Sequence, residues 1–114
     1  MSVNSRKVGN AYELSIRKEM IELGWEECQT SRYASKMLDD AKVDLAKTDP
    51  FNIQCKRWTS APSYHTVLDQ MPKDTNYNVI VHKRPHKGEV VVMSKADFYE
   101  ILEMLIKNKI IKTK

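Results

Sequence analysis

The chain is short of cysteine, having only Cys28 and Cys55 in 114 residues. Two thiols do not make a disulfide scaffold, and they read as reduced core residues. No histidine stands at a spacing that would complete a structural zinc site with them. The chain also lacks any apolar run approaching a membrane span, and its polar N-terminus lacks a signal-peptide core. The expectation is therefore an intracellular, cytoplasmic protein with no membrane partner. Internal repeats and low-complexity segments are missing too. Charge of one sign is not in great excess. Nineteen Lys and Arg against fifteen Asp and Glu leave +4, a mild lean towards a polyanion.

What is present suffices for one domain, residues 1–114, with a core of modest size. From Val8 to Leu23 the apolar residues Val8, Tyr12, Ile16, Met20 and Leu23 recur at helical spacing, and Gly24 is placed to end the helix. Trp25 to Thr30 reads as a strand, with Trp25 either a core anchor or a stacking surface. Ser31 to Lys42 reads as an irregular polar connection. Thr59 to Ser63 reads as a linker, with Ser63 capping a short helix over Tyr64 to Met71. Strands over Tyr77 to Lys83 and Glu89 to Ser94 flank a basic turn, solvated or in contact with nucleic acid. Ser94 and Asp97 form a variant capping box. The closing helix carries Phe98, Ile101, Leu102, Leu105 and Ile106, a face for the core or in part for a subunit interface. The predicted order is αβββαββα, an α/β (α+β) arrangement with a central mixed sheet of about five strands flanked by helices.

The stretch Val43 to Trp58 is the most informative. Val43 and Leu45 alternate with Asp44 and Ala46; after Thr48, Asp49 and Pro50, residues Phe51, Ile53 and Cys55 alternate with Asn52, Gln54 and Lys56. Read as an antiparallel hairpin turning at Asp49, this puts Asp44 opposite Gln54, with Lys56 on the same side. Glu13, on the shoulder of the first helix, is free to join them. Hard oxygen donors of this kind suit Mg²⁺, and a neighbouring lysine suits the charge that develops in phosphodiester cleavage.

Gly9 to Glu13, Val43-Asp44 and Ile53 to Lys56 together resemble the PD-(D/E)xK nuclease superfamily. Within it they are most similar to the archaeal-type Holliday junction resolvases, with the Mrr-like restriction endonucleases next. The resemblance implies a restriction-endonuclease-like fold and a Mg²⁺-dependent endodeoxyribonuclease, with Mn²⁺ as a substitute. It implies catalytic roles for Glu13, Asp44, Gln54 and Lys56, and metal ligation by Asp44, Gln54, Glu13 and the backbone carbonyl of Cys55. It also implies a homodimer acting on a branched, four-way DNA junction. Val43 stands where Pro is common, and Gln54 where Glu is usual, as in the QxK variant of Mrr-like enzymes. A nuclease acting on ordinary duplex, and a nucleic-acid-binding domain with weakened catalysis, are the alternatives. By position, Arg6, Lys7, Arg32, Lys36 and Arg57 are the candidate DNA contacts.

Overall fold

A computed structural model describes residues 5–58 and 63–114, with side chains from Lys7 onward. Arg6's side chain and the Thr59 to Pro62 linker lie outside the described residues. The architecture is a small α+β domain with a two-stranded and a three-stranded mixed sheet. In order, the elements are α1 (Ser5–Leu23), β1 (Gln29–Thr30), α2 (Ser31–Ala34), α3 (Lys36–Asp40), β2 (Leu45–Ala46) and β3 (Phe51–Arg57). There follow α4 (Tyr64–Gln70), β4 (Tyr77–Arg84), β5 (Gly88–Val92) and α5 (Lys95–Lys107). No helix among the described residues is long and apolar enough to cross a membrane.

The apolar stripe of α1 does what its spacing predicts. Tyr12 and Ile16 are buried against Ile53, Cys55 and Val79 of the sheet, with Cys28 and Leu45 completing the main core. Leu23 is exposed. The helix ends at Gly24, whose φ of +134° favours glycine, and Gly24 and Trp25 both donate to the Met20 carbonyl. On the other sheet face, Val67 and Met71 from the α4 region pack on Ile80. Ser63 and Ser94 cap α4 and α5 as expected, accepting from the amides of Thr66 and Asp97. Trp25 packs against the core and donates its Nε1–H to the Asp49 carbonyl.

The strand pairing differs from the expected hairpin and the expected single five-stranded sheet. β2 pairs antiparallel with β1, Gln29 opposite Ala46 and Thr30 opposite Leu45. β3 runs parallel to β4, from Phe51 opposite Tyr77 to Arg57 opposite Lys83, and β5 is antiparallel to β4 at the edge. The reason lies in β3 itself. Asn52, Ile53, Gln54 and Cys55 are all buried, since α1 covers one face and α4 the other, which is the environment of a parallel strand. Beyond the turn bond from Phe51 N–H to Thr48 C=O, the one backbone bond across the expected hairpin among the described residues is Asp44 N–H to Ile53 C=O, 2.8 Å.

Two other segments also differ. Only Gln29 and Thr30 of the first predicted strand are extended, because Cys28 turns back to bond the Trp25 carbonyl. The polar connection after them holds two short helices, α3 capped by Ser35, whose hydroxyl accepts from Leu38 N–H.

Candidate functional site

Asp44 sits just before β2 and is pinned through its backbone on both sides. Its carbonyl accepts from Ser31 N–H at 2.8 Å, and its own N–H goes to Ile53. Because it lies beyond the end of β2, no ladder dictates where its side chain points. The carboxylate turns to β3, and Oδ2 accepts the Cys55 N–H at 2.7 Å. The predicted register, with Asp44 opposite Gln54, is therefore replaced by one in which Asp44 bonds Ile53 and Cys55.

That bond also orients a second group. The N–H and C=O of one strand residue point to the same edge. Since Cys55 N–H faces Asp44, the Cys55 carbonyl faces the same edge of β3, away from β4.

Burial pushes the Asp44 carboxyl above the ordinary carboxylate range; the Cys55 amide and the Lys56 charge pull it back, and the charge of Asp39 adds to the rise. Glu13 is raised as well, first by burial and then by Asp44's charge, against the pull of Arg32. Arg32 Nε donates to Glu13 Oε1 at 3.2 Å. Glu13 of α1 and Asp44, on the segment before β2, are thus within electrostatic reach of each other, and Asp44 is within reach of Lys56 on β3. Lys56 Nζ also lies 4.7 Å from the centroid of the Trp58 ring.

Gln54 stands apart from this group. By strand alternation it shares the α4 face with Asn52 and Lys56, whereas Ile53 and Cys55 point to α1. Asn52 is fully engaged. Its Nδ2 donates to Asp74 and Asn78, and its Oδ1 accepts from Asn76. Gln54, only 5% exposed, has a buried Oε1 with no hydrogen-bond partner among the described residues. A lone buried carbonyl oxygen costs about 1–3 kcal/mol unless something meets it.

No three His, Cys, Asp or Glu side chains among the described residues are grouped to hold a metal. A cation here would rest on the carboxylates of Asp44 and Glu13 with the neutral Cys55 carbonyl oxygen; Gln54, the other expected ligand, is not brought to them. That donor set is all hard oxygen, and it fits Mg²⁺ or Mn²⁺ with waters completing the shell.

The predicted DNA contacts fall in different places. Arg32 reaches the site but is held by Glu13, and Lys36 pairs with Asp40 at 3.3 Å. Lys7 is exposed. Arg57 points to the α1 side, where with Lys83, Tyr12 and Ser15 it lines a cleft of about 360 Å³. Asp39 escaped sequence reasoning because nothing in its segment marked it as close to Asp44.

Comparison with protein-family models, with curated proteins and with solved structures finds no match to this chain.

Proposed function

We propose that this chain is a metal-dependent DNA endonuclease of the PD-(D/E)xK type with a restriction-endonuclease-like fold, selective for branched DNA such as a four-way junction. The observation that carries the reading is that Asp44, on the segment before β2, lies within charge reach of both Glu13 of α1 and Lys56 of β3, with its carboxylate bonded to the Cys55 amide. The outward edge carrying the Cys55 carbonyl supports it. Asp44 and Glu13, with the Cys55 carbonyl oxygen, are the residues to hold Mg²⁺. A divalent ion bound there withdraws charge from a phosphate oxygen and acidifies water. Lys56 places a positive charge where the pentacoordinate phosphorus gathers negative charge. The Cys55 amide holds one oxygen of the Asp44 carboxylate and so fixes the group in place.

A second copy of the chain is part of the reading. None of the residues of α5 is buried; Phe98 and Tyr99 are about half exposed, and Met104 and Ile106 are exposed as well. Lys95 opens α5, Asp97, Glu100 and Glu103 follow along it, and Lys107, Lys109 and Lys112 lie at its end and beyond. Antiparallel pairing about a two-fold axis sets acid against base and covers the apolar side chains.

The weakened-catalysis alternative draws on one observation, the Arg32 side chain held on Glu13. One experiment separates the readings. The protein is incubated with a four-way junction and with a matched linear duplex, in Mg²⁺ or in EDTA. Metal-dependent paired nicks confined to the junction are expected. Equal cutting of both substrates favours a duplex nuclease, and tight binding without cutting, even in Mn²⁺, favours a binding domain.

A further inference from the structure

Glu13 and Asp44 are each held by a hydrogen bond, from Arg32 and from the Cys55 amide. Lys56 is held differently. Among the described residues its ammonium makes no ion pair with a carboxylate. It meets an aromatic face instead, with Nζ 4.7 Å from the centroid of the Trp58 ring. Residues two apart on a strand share a side, so Trp58, one step past the end of β3, stands on the same side of the sheet as Lys56.

Trp58 is 37% exposed, yet its ring is braced from the interior. It meets the His82 imidazole edge-on, with centroids 6.1 Å apart and planes at 65°. His82 on β4 is 2% exposed and is the direct cross-strand partner of Lys56. Its Nδ1 is engaged with the Tyr64 hydroxyl of α4 at 2.7 Å, and the Tyr64 ring lies edge-on to it at 5.7 Å. A buried imidazole, anchored by α4, thus sets the plane of the ring that faces Lys56.

The choice of partner has a chemical consequence. Lysine carries its charge on a long, flexible stem, and a carboxylate would order that stem only by cancelling the charge. The quadrupole of an aromatic face attracts an ammonium and leaves the charge intact. The charge of Lys56 is felt at Asp44, yet the two side chains form no ion pair. The Asp44 carboxylate therefore stays free of the lysine that stands beside it.

We infer that Trp58 is a positioning residue for Lys56, its ring face keeping the ammonium charged and ordered beside Asp44 without closing onto it. Its part in cutting rests on the nuclease reading above; the ordering of the lysine does not.

The test has a spectroscopic arm and a kinetic one. In full-length protein carrying ¹³C-labelled lysine, the ring current of an indole face moves a methylene above it upfield. One lysine ε-methylene signal is expected upfield of the others. It should vanish in Lys56→Arg and move to the ordinary lysine position in Trp58→Leu, which keeps an apolar side chain beside His82 and removes the ring. On the four-way junction in Mg²⁺, Trp58→Leu is expected to cut about fivefold more slowly under enzyme excess, the rate equivalent of one surface cation–π contact. Junction affinity in Ca²⁺ should be unchanged, and Trp58→Phe, which keeps a ring, should recover most of the parent rate. An ordinary Lys56 signal in the folded parent overturns the inference, and so does a folded Trp58→Leu that cuts at the parent rate. Weaker junction binding with the cutting rate kept also overturns it, and makes the ring a stacking face for a base. If the parent cuts no DNA, the nuclease reading falls, and the Lys56 signal alone decides whether Trp58 orders the lysine.

Discussion

The Cys55 amide donates to Asp44 Oδ2 at 2.7 Å, although the two residues belong to no common ladder. This bond converts a strand end into a positioned carboxylate. It also decides which edge of β3 faces the candidate site. Asp44 is held through backbone bonds to Ser31 and Ile53, so its side chain is placed by the fold and not by its own rotamer preference.

The first prediction concerns cleavage. Asp44→Asn keeps the acceptor for Cys55 N–H and removes the negative charge. Lys56→Ala removes the ammonium and its contact with Trp58. Each is expected to lower the rate of junction cutting at least ~100-fold, the scale seen when one transition-state electrostatic contact is lost. Junction affinity, measured by gel shift in Ca²⁺, is expected to change little. Loss of binding together with cutting, in a destabilised protein, would show that these side chains serve the fold.

Much of this was legible from the chain. The 3.6-residue stripe marked α1, and Ser63 and Ser94 marked where α4 and α5 begin. Alternation along β3 correctly divided its residues between two faces. It could not tell which strand lies beside it, because polar Asn52 and Gln54 look like solvent-facing positions and are buried under α4 instead. The parallel partner β4 is brought in by packing on both faces, which no local pattern reports. Helices α2 and α3, four and five residues long, are too short to show a period. The Arg32–Glu13 pair joins residues nineteen apart and exists only once α1 and α2 are placed. Asp44 and Lys56 were readable as a motif, but the bond that aims Asp44 was not.

A second prediction follows from the thiols. Cys28 and Cys55 are both free and buried. Burial pushes the Cys55 thiol far above its ordinary value, and the negative charges of Asp44 and Glu13 push it further. Cys28 is raised by burial as well. Thiolate is the reactive form, so neither residue is expected to react with an aromatic disulfide reagent in the native state. Two equivalents are expected to react in denaturant. Rapid native labelling of one thiol would place Cys55 nearer solvent than described. The same argument predicts that Ile53→Ala, beside Cys55 in the main core, costs about 2–4 kcal/mol and speeds labelling by increasing the unfolded fraction.

Self-association supplies a third. Ile106→Asp and Phe98→Asp change exposed side chains on a helix with no buried residue, so folding is expected to survive them. If α5 meets a second copy, these variants should run as monomers in multi-angle light scattering at concentrations where the parent is dimeric. A parent that is monomeric throughout excludes this surface as a dimer contact.

The last prediction joins pH to metal. The raised carboxyls of Asp44 and Glu13 mean that the folded chain holds these protons more tightly than the unfolded chain does. Between the ordinary carboxylate pKa and the raised one, the folded state therefore binds more protons. Stability then falls as pH rises through that window. Asp44→Asn carries no such penalty for its own side chain, so its stability relative to the parent should increase as pH rises through that window and level off above it, as followed by urea unfolding. Mg²⁺ should work in the opposite direction, because a cation favours the ionised pair. At ten times its dissociation constant it is expected to stabilise the parent by about 1.4 kcal/mol. The same addition should leave Asp44→Asn nearly unmoved. A parent whose unfolding midpoint ignores Mg²⁺ and Mn²⁺ at every pH would mean that Glu13 and Asp44 hold no ion.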